Sequence, residues 1–345
     1  MPDQITRNAV DERIWAEELD EFVPQKVYDA HTHIYRLAFN TIPDPMNGPY
    51  GQLLGPALSE ATWELANKID SLLMPGREVQ RLAFPFPFGE CDFEASNDFL
   101  AGQLNGSPKS AGLMLVHPSM TAQQAEALID RHGFVGFKPY RFYSVTGDAV
   151  QCRITDFLPE HLIEVADRRG LIIMMHISKR DAIADPENIA DVVRLTQKYP
   201  KSKWILAHCA RSYSTWAIEK AAKHLRGLPN VWYDTSSVCE SDAIEALYNS
   251  VGIEPVMYGS DDIPVGVLRG KYIAFGYAWA YLSETNHSLG LTHCNSQMTY
   301  TRYEQLRAMK NAGRRFGMTE QQKQALFHDT AANLVAAARR DAFGD

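Results

Sequence analysis

The sequence predicts an α/β fold, a (β/α)8 TIM barrel in one domain spanning residues 1–345, with the barrel core at about 26–264. Three observations carry that prediction. Eight short apolar runs recur along the chain, segments of helical periodicity separate them, and polar residues collect where the runs end. Runs of 4–8 apolar residues suit strands buried on both faces of a parallel sheet. Strict β-then-α alternation makes that sheet parallel, and eight units favour closure over an open doubly wound sheet. The open alternative also lacks a Gly-x-Gly-x-x-Gly turn after any strand.

An acidic N-terminal helix precedes the first strand, KVYDAHTHI (Lys26–Ile34). The next four are RLAFPFPF (Arg81–Phe88), AGLMLVHP (Ala111–Pro118), GFVGFKPY (Gly133–Tyr140) and LIIMMHIS (Leu171–Ser178). KWILAHCA (Lys203–Ala210), VWYDTSS (Val231–Ser237) and PVMYGSDD (Pro255–Asp262) complete the set. Helices fall between them. TAQQAEALIDRHG opens on Thr121 as an N-cap and closes on Gly133, and DFLPEHLIEVADRRG closes on Gly170. Two stretches exceed a minimal barrel. Tyr35–Gln80 is a long loop with a helix near Ser59–Leu73, the kind of insertion that walls a barrel pocket. Residues 265–345 read as a helical decoration packed outside the barrel.

Composition narrows the function. Hydrophobic residues make up 45% and charged residues 22% of the 345, an ordinary globular mixture. A net charge of −8 disfavours nucleic acid and anionic membrane as partners. The five cysteines (Cys91, Cys152, Cys209, Cys239, Cys294) are widely spaced with no CxxC pair, which predicts reduced thiols and a cytoplasmic setting. The opening residues lack the basic and apolar regions of a signal peptide, and no apolar run reaches the ~18–20 residues of a membrane span. Without a leader, the triplets Asn105-Gly106-Ser107 and Asn286-His287-Ser288 carry no glycosylation meaning.

The chemistry lies at the strand ends. His31 and His33 stand at i and i+2 and so share a strand face. His176 follows LIIMM, His208 follows WILA, and Asp261 follows VMYGS. In a barrel all five meet at one rim, the rim that carries catalysis. Burying them unpaired would be costly, and a divalent cation removes that cost. Imidazole nitrogen with carboxylate oxygen suits zinc first, then manganese or another divalent ion. Taken singly, an HxH or a lone strand-end histidine is weak evidence; the ordered conjunction is not. His117 reads as structural, His132, His161 and His224 as helix-surface residues, and His287, His293 and His328 receive no role.

DAHTHI, the strand-ending His176, ILAHCA and YGSDD resemble, in order, the signature elements of the amidohydrolase superfamily, over about residues 26 to 335. LFHDTAANLVA (Leu326–Ala336) is similar to its terminal helix, and the chain most resembles the amidohydrolase-related branch. That branch contains lactone and amide hydrolases, aminocarboxymuconate-semialdehyde and gamma-resorcylate decarboxylases, and an aromatic-degradation hydratase. The resemblance implies one divalent metal on His31, His33, His176 and Asp261. It implies that Asp261 also takes a proton from the water this metal activates, and that His208 acts as acid/base or steers the substrate oxygen. The competing role for His208 is ligation of a second metal. Lys138 stands where binuclear members carry a carbamylated lysine, so a second ion is the lesser alternative.

Cationic and phenolic groups cluster at the same rim: Lys138, Tyr140 and Arg141 after the fourth strand, Arg211 and Tyr213 after the sixth, Tyr35 and Arg36 after the first. Arginine's planar fork suits carboxylates, so these are the substrate-binding candidates for a small acidic molecule, Arg211 foremost. Asp234 is positioned to orient a ligand histidine, Asp262 to point away from the metal, and Phe84, Phe86 and Phe88 to form one aromatic face. The leading expectation is metal-dependent hydrolysis of a carboxylate-bearing lactone, amide or ester. The alternative is nonoxidative decarboxylation or hydration of an aromatic or muconate-type acid. A catalytically silent binding barrel is the third reading, and a homo-oligomer through the C-terminal decoration is a further expectation.

Overall fold

The computed structural model describes residues 5–104, 107–284, 286 and 291–344. Both Asn-x-Ser triplets run outside the described residues, and so does His287. Eight parallel strands form the barrel: β1 Lys26–His33, β2 Glu78–Phe84, β3 Ala111–Val116, β4 Gly136–Pro139, β5 Ile172–Met175, β6 Lys203–Leu206, β7 Val231–Asp234 and β8 Val256–Met257. Each pairs with the next in chain order. Residues just past β8 close the ring on β1: Ala30 N donates to Tyr258 O at 3.0 Å, and Asp261 N donates to His31 O at 2.9 Å.

The strands are shorter than their apolar runs for local reasons. β2 stops at Phe84 because Pro85 and Pro87 bring no N–H to the ladder. Gly133 is the left-handed C-cap (φ 69) of helix Ala122–His132, so β4 begins only at Gly136. Gly136 itself lies so close to β5 that an added Cβ would sit 2.0 Å from Ile172 O. β5 and β6 end before His176 and His208, which places both histidines on loops above the barrel.

Side chains from alternate strand positions fill two buried clusters. Phe84, Leu113, Met174, Ile205 and Met257 fill the interior. Met114, Phe137, Ile173, Leu206 and Val256 face the surrounding helices. Each such side chain contributes roughly 1.5–3 kcal/mol by leaving water. Leu334, Val335 and Ala338 of helix Thr330–Phe343 join the interior cluster with Tyr28 and Ala111 from the strand starts. The last helix therefore plugs the barrel's lower end instead of lying outside it.

The C-terminal decoration also departs from expectation at its start. Gly270–Phe275 (β9) and Ala278–Ser283 (β10) form an antiparallel hairpin, not a helix. The segment GKYIAFGYAWAYLS is dense in aromatic residues, and Gly276 (φ 56) supplies the left-handed turn. Beyond it the expected helices appear, Thr301–Phe316, Glu320–Gln324 and Thr330–Phe343. Among the described residues no helix is long and apolar enough to cross a membrane.

Candidate metal centre

A β-bulge aims the HxH pair. The register of β1 against β2 slips between Asp29 and Thr32, leaving one extra residue in β1. Tyr28 and Ala30 face the interior, so unbroken alternation would send Thr32 inward and both histidines outward. The bulge reverses this. His33 then pairs with Phe84, and the rings of His31 and His33 each lie 4.8 Å from the Phe84 ring. Asp29 clamps the bulge: its Oδ1 accepts from His31 N at 3.0 Å and from Ser260 N at 2.8 Å. One buried carboxylate thus ties the metal-ligand strand to the residue beside Asp261.

Asp261 sits in the left-handed region (φ 61), and Ser237 Oγ donates to its Oδ2. Its Oδ1 lies 3.4 Å from His31 Nε2 and 3.3 Å from His33 Nε2. Candidate ligand atoms of His31, His208 and Asp261 all fall within 4.8 Å of one another. His208 opens a run of four left-handed residues, His208 (φ 58), Cys209 (φ 53), Ala210 (φ 57) and Arg211 (φ 57). Such backbone costs roughly 1–2 kcal/mol per residue, and it is held here by Asp234 Oδ1 accepting from His208 N at 2.9 Å. His176 joins from β5, with its ring 5.2 Å from that of His208 and its Nδ1 without a hydrogen-bond partner. The three-residue constellation thus includes His208, while His33 touches Asp261 directly and His176 flanks them.

The electrostatics fit a cation. Burial, reinforced by the Lys138 charge, pushes His31 down to about 3. Burial likewise lowers His33, and it lowers His176 well below the usual range. Burial alone would raise Asp261, but the His33 hydrogen bond and the neighbouring imidazoles hold its carboxyl well below the ordinary value. His31 Nδ1 faces Asp234 Oδ2 at 3.0 Å and donates its one proton there. Its Nε2 therefore turns a bare lone pair toward an ionised carboxylate. A divalent cation held by these two groups would relieve that repulsion.

The remaining candidates separate cleanly. Lys138 is fully buried, its Nζ has no hydrogen-bond partner and lies 4.3 Å from the Phe84 ring centroid. Burial pushes it down to about 8. Tyr140 stands between Lys138 and His176, with its ring 4.9 Å from the latter. Arg211 donates to two carbonyls, Lys179 O at 2.6 Å and Ile177 O at 3.3 Å, and lies over the Trp279 ring. Arg141 donates to Ala149 O at 2.6 Å and leaves its Nε unpartnered. Burial, then Arg141, lowers Arg211 to about 10. Tyr213 stacks on His208 and on Trp279 of the hairpin.

Tyr35 and Arg36 are not brought to the mouth. Tyr35 donates its hydroxyl to Leu58 O, and exposed Arg36 pairs with Glu60 at 2.8 Å. Asp262 points away as expected and pairs with buried Arg302. Phe84 floors the site, whereas Phe88 packs with Tyr35 and Tyr50. His117 bonds Ser119, and His132 pairs with Asp98. The sequence reading missed Asp29, Ser236, Ser237 and the hairpin residues Trp279 and Tyr272, the latter with its ring 4.8 Å from that of Tyr213. A serine or aspartate inside a strand run gives no local signal of a partner some 200 residues away. The dense aromatics of the hairpin were the one signal available.

The Amidohydrolase family model matches residues 94–336. The chain therefore belongs to that family, a family of enzymes, and its fold and His-His-Asp site agree with that membership. No curated protein matches the sequence. Among solved structures it is similar to 5-carboxyvanillate decarboxylase from Sphingomonas paucimobilis (TM-score 0.58, 17% identity, covering 91% of this chain and 99% of that one). A candidate 2-pyrone-4,6-dicarboxylic acid hydrolase from Pseudomonas putida is similar at TM-score 0.56 and 18% identity, covering 91% and 99%. A dihydroxybenzoic acid decarboxylase from Polaromonas sp. JS666, solved with manganese and 2-nitroresorcinol, gives TM-score 0.57 and 15% identity, covering 91% and 97%. At these identities the likeness speaks for the fold alone.

Proposed function

We propose that this enzyme hydrolyses a small carboxylate-bearing lactone, amide or ester at one divalent metal, with zinc the first candidate. The observation that carries the reading is Asp261: a buried, ionised carboxylate wedged between His31 Nε2 and His33 Nε2 and steadied by Ser237. His31, His33, His176 and Asp261 supply the donors that would hold the ion. Bound there, it would act as a Lewis acid and lower the pKa of a water toward ~7. Asp261, held ionised, accepts the proton from the attacking water. His208, stacked on Tyr213, steers the substrate oxygen. Lys138, Arg211 and Arg141 form no ion pair with a carboxylate among the described residues, so they are free to bind the substrate's acid group.

That same uncompensated positive rim supports a second reading, nonoxidative decarboxylation or hydration of an aromatic or muconate-type acid. Two of the similar structures are decarboxylases and one a candidate hydrolase. Protein loaded with zinc, then manganese, decides between them. A lactone panel followed by proton release should give turnover with a burst-free titration of one proton per ester bond. Carbon dioxide evolution from benzoic and muconic acids, with no lactone turnover, would replace the hydrolase reading by the second. We further propose that the whole chain works as a single domain in the cytoplasm, on an acidic small molecule and without nucleic acid or membrane.

A further inference from the structure

We propose that Ser236 is a positioning residue whose hydroxyl, oriented by Asp234, holds the Nδ1-protonated rings of His31 and His208 in place together. This rests on the metal-site reading but not on which reaction follows. Ser236 is fully buried on the loop leaving β7. Its Oγ lies 3.1 Å from His31 Nδ1 and 2.9 Å from His208 Nδ1, and it also bonds Asp234 Oδ1.

A serine hydroxyl has one proton to give. The ionised Asp234 carboxylate can only accept, so that proton goes to Asp234 Oδ1, which also accepts from Ser236 N at 3.0 Å and His208 N at 2.9 Å. Ser236 Oγ is left with lone pairs toward both imidazoles. Both Nδ1 atoms must therefore be donors. His31 Nδ1–H is shared between Asp234 Oδ2 at 3.0 Å and Ser236 Oγ. His208 Nδ1–H is shared between Ser236 O at 3.0 Å and Ser236 Oγ. Each ring then carries its only lone pair on Nε2. A single hydroxyl thus bridges the two rings, and the alternative tautomer would set a lone pair of His31 against Asp234 Oδ2 or one of His208 against Ser236 O.

The test is nitrogen NMR of histidine-labelled, metal-free protein, alongside zinc affinity from chelator competition. Wild type should show His31 and His208 both protonated at Nδ1. Asp234→Asn puts an amide N–H opposite His31 Nδ1, so His31 should switch to the Nε2–H form while His208 keeps Nδ1–H on the 236 carbonyl. Zinc affinity should fall about 10–100-fold. Ser236→Ala should preserve both tautomers yet weaken zinc several-fold, and Ser236→Thr, which restores the hydroxyl, should recover part of that loss. An Nε2–H signal on either ring in wild type overturns the proposal even if both variants fail to fold. Unchanged zinc affinity in folded Ser236→Ala overturns the role of Ser236. Neither measurement requires a substrate, so failure of the hydrolase reading would leave this result standing.

Discussion

Two buried polar regions lie within a few residues of each other, and they are built on opposite terms. In the first, Asp70 pairs with Arg302 at 2.6 Å and with Arg81, Arg302 pairs with Asp262, and Arg81 also donates to Asn67 at 2.9 Å. Two acids face two bases and all four are buried. In the second, beginning one residue away at Asp261, burial keeps His31, His33 and His176 neutral, Lys138 Nζ and His176 Nδ1 have no hydrogen-bond partner among the described residues, and several backbones are left-handed. The first network spends its charges on itself and joins β2, β8's exit and helices Trp63–Leu73 and Thr301–Phe316. The second leaves its charges unsatisfied, as sites awaiting a ligand do. Adjacent aspartates thus belong to different tasks: Asp262 holds the frame from which Asp261 faces the mouth.

Substitutions should divide along that line. Asp261→Asn carries the largest expected effect, a loss of about 10²–10⁴ in kcat with a urea midpoint near that of wild type. A stability loss matching the activity loss would mean that Asp261 belongs to the frame after all. Arg302→Met leaves Asp262 buried without its cation and Asp70 with Arg81 alone, so chemical denaturation should show a loss of about 3–5 kcal/mol.

Lys138 sharpens the contrast because its charge is both unpaired and needed. Its folded value of about 8 lies below the ~10.4 of an unfolded lysine. Between those values the unfolded chain holds the proton and the folded chain has released it, so this residue's contribution to stability rises with pH across that window. Binding runs the other way. KM for an acidic substrate should climb up to about tenfold per pH unit above 8, and Lys138→Met should flatten that profile while raising KM at neutral pH. A profile unaltered by the substitution would remove Lys138 from the substrate's surroundings. The smallest effect belongs to Arg36→Ala. Its exposed pair with Glu60 contributes about 0–1 kcal/mol, and kinetic constants should stay within about twofold if Arg36 lies outside the mouth as the geometry has it.

Strand positions and ligand types were readable because they are local and repetitive. An apolar run of five residues marks a strand wherever it stands, and His or Asp at the end of LIIMM, WILA or VMYGS is anomalous without any neighbour being known. Asp234 as the partner of His31 was legible for the same reason, since it ends its own run. Arg36 shows the limit. Its place in the sequence is as favourable as that of Arg211, yet a two-residue pairing of Tyr35–Arg36 with Glu60–Ala61 turns it outward.

By itself, the order of residues determined the eightfold alternation and which side chains could bind a cation, because periodicity and residue chemistry need no third dimension. Only the tertiary structure decided how they meet. Whether His31 and His33 point in or out depends on one extra residue in β1, fixed by Asp29 bonding across to Ser260. Whether His208 joins Asp261 depends on a left-handed turn whose cost is met by contacts from β7. The first of these contacts spans 231 residues of chain and the second 26, and hydrogen bonds of either reach leave no trace in the local pattern at their ends.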